Sequence, residues 1–468
     1  MAHRVVSAIL FSPRGGSAHV ARALARGLRE LAWDVTLVSG SVTRSESLGD
    51  AKRFYGEVQP VDFGPALATG EPLRFEGPLG TAPMHPSFED RPGGPDRVFA
   101  VLDDLEFERQ VQAWAGALAQ ADAANADVLH LHHLTPIHAA ARRVAPRVPV
   151  VTHLHGTELL MLEEIVAEAP ARWTYAERWA ERIQTWARRS ARLLVAPAGV
   201  ERAVRLLDVP RERIVALPNG ADVELFKPHR VDRVEFWRRV LADDPQGWLP
   251  GEAPGSARYA PGDAVRLADG VVIVYVGRFN AVKAVDRLIA AFGRAQKRFS
   301  VPAGLVLVGG HPGEWEGEHP FEAAARLGVP DVYLTGWYPQ EDLPEFYAAS
   351  DVMAIASRRE QFGQVIVEAM ACCLPAIAVR ALGPAAIVED GRTGWLVPLD
   401  DEPALAEAMV QAVNDPPERR RRGELARTAA VERFSWPSIA ARLASVLDEV
   451  VDAGGVTVRT SVPSRGER

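Results

Sequence analysis

Along this chain, short apolar runs alternate with stretches whose apolar residues fall three or four positions apart. The run at 5–11 reads as a buried strand and the Ser-Pro-Arg-Gly-Gly-Ser of 12–17 as a turn. Residues 19–32, with Val20, Leu24, Leu28 and Leu31 on one stripe, read as a helix. A strand at 35–39 follows. Strand, helix, strand in that order predicts a right-handed βαβ unit and a parallel sheet. The alternation continues with a helix at 98–121, strands at 127–132 and 148–155, helices near 136–146 and 171–192, and apolar runs at 193–196 and 214–218. After Pro218-Asn-Gly-Ala-Asp222 the periodicity lapses, and 229–268 reads as a linker with an insertion. A second series then opens. It has strands at 271–276, 304–308, 332–335, 352–356 and 376–379, and helices at 286–299 and 364–372. Two alternating series predict an α/β chain of two Rossmann-like, doubly wound domains facing a deep cleft. The Pro- and Gly-rich stretch 56–97 reads as a long functional loop. The last periodic helix covers 436–451, and a mobile polar tail is expected over 453–468.

At 468 residues the chain is long enough for more than one core. A net charge of −8 argues against nucleic acid as a general partner, because phosphate backbones demand a basic surface. The two cysteines, Cys372 and Cys373, are adjacent, so no disulfide framework is expected. The apolar run at 5–11 is shorter than a signal-peptide core, and no apolar run approaches membrane-spanning length. A cytoplasmic location is expected, with peripheral membrane contact left open.

Two segments carry the candidate chemistry. In the first, Asp351-Val-Met-Ala-Ile-Ala-Ser-Arg-Arg-Glu360-Gln-Phe-Gly363-Gln-Val-Ile-Val-Glu368, a strand passes through a loop into a helix. Gly363 marks a turn that lets backbone approach a ligand, and a helix start near Gln364 offers free N–H groups to a diphosphate. Glu360 and Glu368 are placed to accept hydrogen bonds from vicinal sugar hydroxyls. In the second, Gly277-Arg278-Phe-Asn-Ala-Val-Lys283 sets two cations between a strand and a helix, an arginine fork and a lysine point charge for phosphate.

Together these segments resemble the retaining glycosyltransferases of family 4, the glycosyl transferases group 1, of GT-B fold. The likeness extends to Gly15 and Gly16, His-Gly-Thr-Glu at 155–158, Pro-Asn-Gly-Ala-Asp at 218–222, Leu-Thr-Gly-Trp at 334–337, the Gly391–Pro398 segment and Phe-Ser-Trp-Pro at 434–437. The resemblance implies an acceptor-binding N-terminal domain over 1–225, joined by a returning helix over 436–452, and a nucleotide-sugar-binding domain over 226–435. It implies that Glu368 binds the ribose and Glu360 the donor sugar. The amides of Phe362, Gly363, Gln364 and Val365 would hold sugar hydroxyls and phosphate, and Arg278 and Lys283 would neutralise the departing diphosphate. Gly16 would allow close approach in the first turn, His155 would sit near the sugar, and the loop after Gly336, with Trp337, would meet the base. The catalytic set implied is His155, Arg278, Lys283 and Glu360. One departure is Ala284, where the family often has glycine after the lysine.

The resemblance implies hexosyl transfer to an acceptor hydroxyl with retention, from a UDP-sugar before GDP-mannose. The acceptor is a small molecule, a saccharide or a lipid-linked species. Fixed cations and the lack of a strand-end Asp-x-Asp make a metal unnecessary, so no metal and no cofactor are expected, the nucleotide sugar being a co-substrate. His130, His132, His133, His138, His153 and His155 are dense enough to suggest a metal cluster, but no cysteine or HExxH accompanies them, and they read as core or site-lining residues. Two other readings are a GT-B-shaped sugar-nucleotide epimerase or hydrolase, and a non-catalytic nucleotide-sugar-binding protein. The missing GxGxxG at 12–17 disfavours a dinucleotide binder.

Overall fold

The computed structural model describes residues 2–13, 15–43, 49–88, 97–311 and 315–459, with side chains described to 453. The chain divides into two compact units, Met1–Pro218 with Ile439–Arg468, and Asn219–Ser438.

The first unit is built on a seven-stranded sheet of order β3-β2-β1-β4-β5-β6-β7. Its strands are β1 (Arg4–Ile9), β2 (Asp34–Ser41), β3 (Gln59–Asp62), β4 (Val128–His132), β5 (Val150–His153), β6 (Arg192–Val195) and β7 (Ile214–Ala216). Every pairing is parallel. Helices cover both faces, so the strands are apolar on both sides, as in Val5, Val6, Ala8 and Ile9 of β1. The expected 56–97 loop is largely structure. Its residues 59–62 form the edge strand β3, and Phe63, Leu73, Met84 and Phe88 are buried in this unit's core. Residues 89–96 of that segment lie outside the described residues.

The second unit carries a six-stranded parallel sheet of order β10-β9-β8-β11-β12-β13. Its strands are β8 (Val271–Val276), β9 (Ala303–Val308), β10 (Val332–Gly336), β11 (Val352–Ala354), β12 (Ala376–Val379) and β13 (Gly394–Val397). The strand order reverses between β8 and β11. At such a reversal the two neighbouring loops diverge to opposite faces and leave a site at the carboxyl ends of the strands.

The segment 229–268 is no linker. Asp232 caps the helix Arg233–Arg238 by accepting from the Glu235 amide, and Phe236, Trp237 and Trp248 are buried in the second core. The Trp248 indole N–H donates to the Gly310 carbonyl at 3.3 Å. Its apolar residues come at irregular intervals, including a π-turn at Arg239–Asp243, so no single period marks them.

The change of unit falls at Pro218/Asn219, not at 225/226. The Ala221 amide donates to the Phe434 carbonyl at 2.7 Å, and Phe226 is fully buried in the second core, which holds 219–226 there. For the same reason the chain returns to the first unit after Ser438. The last helix runs Trp436–Arg459, so helix replaces the expected tail as far as 459, and 460–468 lie outside the described residues. The Arg419–Arg422 run is partly packed. Arg422 lies over the Trp395 ring at 4.1 Å and pairs with Glu418.

Candidate active site

In the second unit the two chemical segments leave the ends of neighbouring parallel strands. The 277–284 loop follows β8, and 355–363 follows β11. The Arg358 amide donates to the Val282 carbonyl at 2.8 Å and ties the two loops together. Within the first loop, Asn280 accepts from the Lys283 amide at 3.1 Å and fixes the turn.

Lys283 Nζ contacts Glu360 Oε2, and both side chains are mostly buried, 20% and 16% exposed. The residues that sequence pattern placed in separate motifs thus meet as one ion pair. Arg278 is exposed and makes no ion pair among the described residues. Its backbone carbonyl accepts from the Tyr275 hydroxyl at 2.7 Å.

The helix Gln364–Ala371 starts at Gly363, which has φ 104° and no side-chain cap. The amides of Phe362, Gly363, Gln364 and Val365 donate to no acceptor among the described residues. Uncapped amides at a helix start form an anion site, helped by the positive end of the helix dipole. Gly383 shapes this loop from outside. Its amide donates to the Glu360 carbonyl at 2.9 Å, and a Cβ there would sit 2.0 Å from the Phe362 carbonyl oxygen. Gln364 Nε2 donates to the Gly220 carbonyl at 2.8 Å and anchors the first helical turn.

Glu368 lies one turn further in and is 2% exposed. Gln340 Nε2 donates to its Oε1 at 2.7 Å and the Tyr347 hydroxyl to its Oε2 at 3.4 Å. Burial pushes its pKa up to about 7, against those hydrogen bonds and one from Gln364. Gln340, Tyr347 and Gly383 escaped sequence reasoning because none stands in a chemical motif; only the Gly-Pro pair at 383–384 hinted at a tight approach.

Gly336, φ 81°, ends β10, and a Cβ there would lie 2.2 Å from the Gln246 carbonyl oxygen. Trp337 beside it is 54% exposed, its ring centroid 5.5 Å from that of His311. An exposed tryptophan on a strand-end loop is an open stacking surface.

Ala284 adopts φ 50°, ψ 47° as the N-cap of the helix Val285–Gln296. This is the left-handed region, where a Cβ costs roughly 1–2 kcal/mol. Ala284 therefore does keep the backbone shape that a glycine would take freely, under strain. Ala284→Gly is expected to stabilise the second unit by about 1 kcal/mol in urea unfolding. A destabilised variant would contradict the strain.

In the first unit, Gly16 opens the helix Gly16–Glu30, and a Cβ at Gly15 or Gly16 would meet nothing within 4 Å. The first turn therefore has open space above it. His155 follows β5 and is half-buried, its Nε2 3.0 Å from His132 Nδ1 and its amide donating to Glu158 Oε1 at 3.2 Å. Burial and the neighbouring imidazoles hold its pKa well below the ordinary value, so it is a neutral base at pH 7. His130, His132, His133 and His153 gather around it. His138 stands apart, its Nε2 2.9 Å from the Thr152 hydroxyl. Among the described residues no helix is long and apolar enough to cross a membrane.

The comparisons agree with this architecture. Residues 14–225 match the family model "Glycosyltransferase Family 4" and residues 264–429 match "Glycosyl transferases group 1". A D-inositol 3-phosphate glycosyltransferase of Stackebrandtia nassauensis is 27% identical over 390 residues, covering 80% of each chain. A GDP-mannose-dependent alpha-(1-6)-phosphatidylinositol monomannoside mannosyltransferase of Mycolicibacterium smegmatis is 33% identical over 279 residues, 56% of this chain and 71% of that one. Among solved structures, Anabaena HepE in complex with UDP and glucose superposes with a TM-score of 0.63 at 19% identity, over 96% of this chain and all of the other. With its two parallel sheets, its paired glutamates and both halves matched, the chain belongs to glycosyltransferase family 4 and has the GT-B fold.

Proposed function

We propose that this glycosyltransferase moves a hexosyl group from a UDP-sugar to an acceptor hydroxyl with retention of configuration, and without a metal in the transfer step. The observation that carries the reading is the uncapped helix start at Gln364, with four free amides, flanked by the Lys283–Glu360 pair and the exposed Arg278. UDP in the solved complex of a protein of the same fold, and the nucleotide sugar named for the mannosyltransferase relative, support a nucleoside-diphosphate donor.

The physical logic is charge. As the anomeric C–O bond breaks, negative charge grows on the departing phosphate and positive charge on the sugar ring. Arg278, Lys283 and the amides of 362–365 face the first charge, and a leaving group matched by fixed dipoles and cations is stabilised without reorganisation. Glu360 holds donor-sugar hydroxyls and orients Lys283. Glu368 takes the ribose diol, and Trp337 and the loop after Gly336 take the base. Retention follows from attack on the face that the diphosphate leaves, the acceptor proton passing to the leaving phosphate. The acceptors named for the relatives, an inositol phosphate and a phosphatidylinositol mannoside, support a polyol, saccharide or lipid-linked acceptor.

The test is a thermal-shift panel of UDP, GDP, ADP and TDP on wild type and Glu368→Ala. UDP is expected to raise the wild-type melting temperature, since a ligand at a hundred times its Kd stabilises the folded state by about 2.7 kcal/mol. The variant is expected to lose most of that rise. Equal shifts in both proteins would overturn the ribose assignment, and donor turnover without an added acceptor would favour an epimerase or hydrolase.

A further inference from the structure

Three buried histidines of the first unit lie closer together than burial alone explains. In β4, His130 and His132 are two residues apart and so share one face of the sheet. β5 runs parallel beside it with His132 opposite His153. Ring centroids lie 4.5 Å apart for His130 and His132, 5.4 Å for His132 and His153, and 5.7 Å for His130 and His153. One nitrogen from each ring lies within 4.8 Å of the other two.

All three side chains are 2% exposed or less. Among the described residues His130 Nε2 and His153 Nδ1 have no hydrogen-bond partner. Ser7 Oγ reaches His130 Nδ1 and His132 Nε2 only at 3.4 Å. A buried nitrogen without a partner costs about 1–3 kcal/mol, and two in one cluster is a large expense for packing that an apolar side chain would supply. The intervening Leu129, Leu131 and Val151 are the apolar residues such a core uses.

Converging imidazole nitrogens are what a borderline-soft divalent ion takes, and among the described residues these are met only by the Ser7 hydroxyl at 3.4 Å and, on His132 Nδ1, by His155 Nε2 at 3.0 Å. Zinc binds imidazole nitrogen at about 2.0–2.1 Å, so tetrahedral ligand atoms stand about 3.4 Å apart, within reach of ring rotation from the present positions. The negative charge that such an ion needs is near. Glu158, fully buried, lies 3.5 Å from His133 Nδ1, and the His133 ring packs on His155, centroids 4.4 Å apart. Two imidazoles, His133 and His155, stand between this carboxylate and the ligand His132, so it bears on the site through its charge and not as a hydrogen-bonded outer partner.

We propose that His130, His132 and His153 bind one divalent ion of the zinc class, joining the ends of β4 and β5 and leaving a fourth position open. The ion has a structural role in the first unit and no part in neutralising the leaving diphosphate, whose residues belong to the second unit.

The test uses the full-length chain, stripped with chelator and checked for fold by circular dichroism. Zn(II) is titrated by calorimetry, and Co(II) by visible absorption. The expected result is one equivalent bound, tetrahedral-type Co(II) bands and a raised melting temperature with Zn(II). His153→Gln is expected to weaken binding at least tenfold, and His229→Gln, an exposed histidine of the second unit, to leave it unchanged. Should His153→Gln not fold, the wild-type titration decides alone. A folded wild type with no stoichiometric Zn(II) and no Co(II) bands overturns the site, as does full binding in folded His153→Gln. The UDP-dependent shift, read in the same samples, tests the proposed transferase reading separately.

Discussion

Glu368→Gln is expected to be more stable than wild type at pH 8, by about 2 kcal/mol, while losing its stabilisation by UDP. Burial in the second core raises the Glu368 pKa from 4.5 to about 7. The folded state then holds a proton that the unfolded chain has released. Between pH 4.5 and 7 the unfolded state binds fewer protons, so stability falls as pH rises, by up to about 3 kcal/mol for a shift of this size. Below pH 4.5 the contribution is fully favourable, and above pH 7 it is gone. Glutamine carries no charge to desolvate, so the variant escapes that loss. One of the donors Gln340 and Tyr347 must then face the new amide N–H₂, which returns about 1 kcal/mol of the gain. Urea unfolding of both proteins from pH 5 to pH 9 measures the difference. It should vanish or reverse near pH 5 and grow towards pH 8. A gap that does not change with pH would mean that Glu368 does not titrate as its burial demands. On the proposed reading the costly acid has a use: ionised, it accepts one ribose hydroxyl on each oxygen, in place of Gln340 and Tyr347.

Lys283→Ala is expected to lower kcat by roughly 10²–10³-fold with a smaller change in KM, the scale of removing one preorganised partner of a developing oxyanion. In the free protein Lys283 is neutralised by Glu360 and largely shielded from water. On the proposed reading a diphosphate entering beside Gln364 would compete for the ammonium, and the contact would strengthen as charge moves onto the leaving oxygen. The substitution also strands Glu360, so its effect on stability must be read together with rate. Lys283→Ala/Glu360→Gln separates the two: stability should recover and rate should not. Arg278→Ala gives an independent arm. Arg278 has no ion pair among the described residues, so its loss should slow transfer without measurable destabilisation. Steady-state rates with the donor identified by the nucleotide panel check each expectation. A kcat within threefold of wild type in Lys283→Ala would remove the lysine from the chemistry.

Both halves of the fold were readable from periodicity, because each strand is a short apolar run and most helices carry a stripe that faces a sheet. The reading failed where stability comes from irregular contacts. The segment 229–268 places Phe236, Trp237 and Trp248 in the core through a π-turn and loops, so no period of 2 or 3.6 announces it. The edge strand β3 is four residues long and contains Pro60, which hides it among turn residues. The polar character of 453–468 suggested a tail, yet the last helix continues to Arg459.

What the residues determined by themselves is local. β-branched runs specify strands, the Gly363 turn specifies a helix start with free amides, and two successive α/β series set the fold class. Which distant groups meet is not local, and only the folded sheets decide it. Parallel strands require crossovers, and the reversal of strand order between β8 and β11 brings Lys283 to Glu360, 77 positions away, and Gln340 to Glu368, 28 positions away. The register of β4 against β5 likewise turns scattered histidines into three rings in contact. A spacing along the chain records neither strand order nor register. The pKa of Glu368 and the partner of Lys283 therefore came into view with the tertiary structure, because both depend on burial and on neighbours that the linear pattern leaves unnamed.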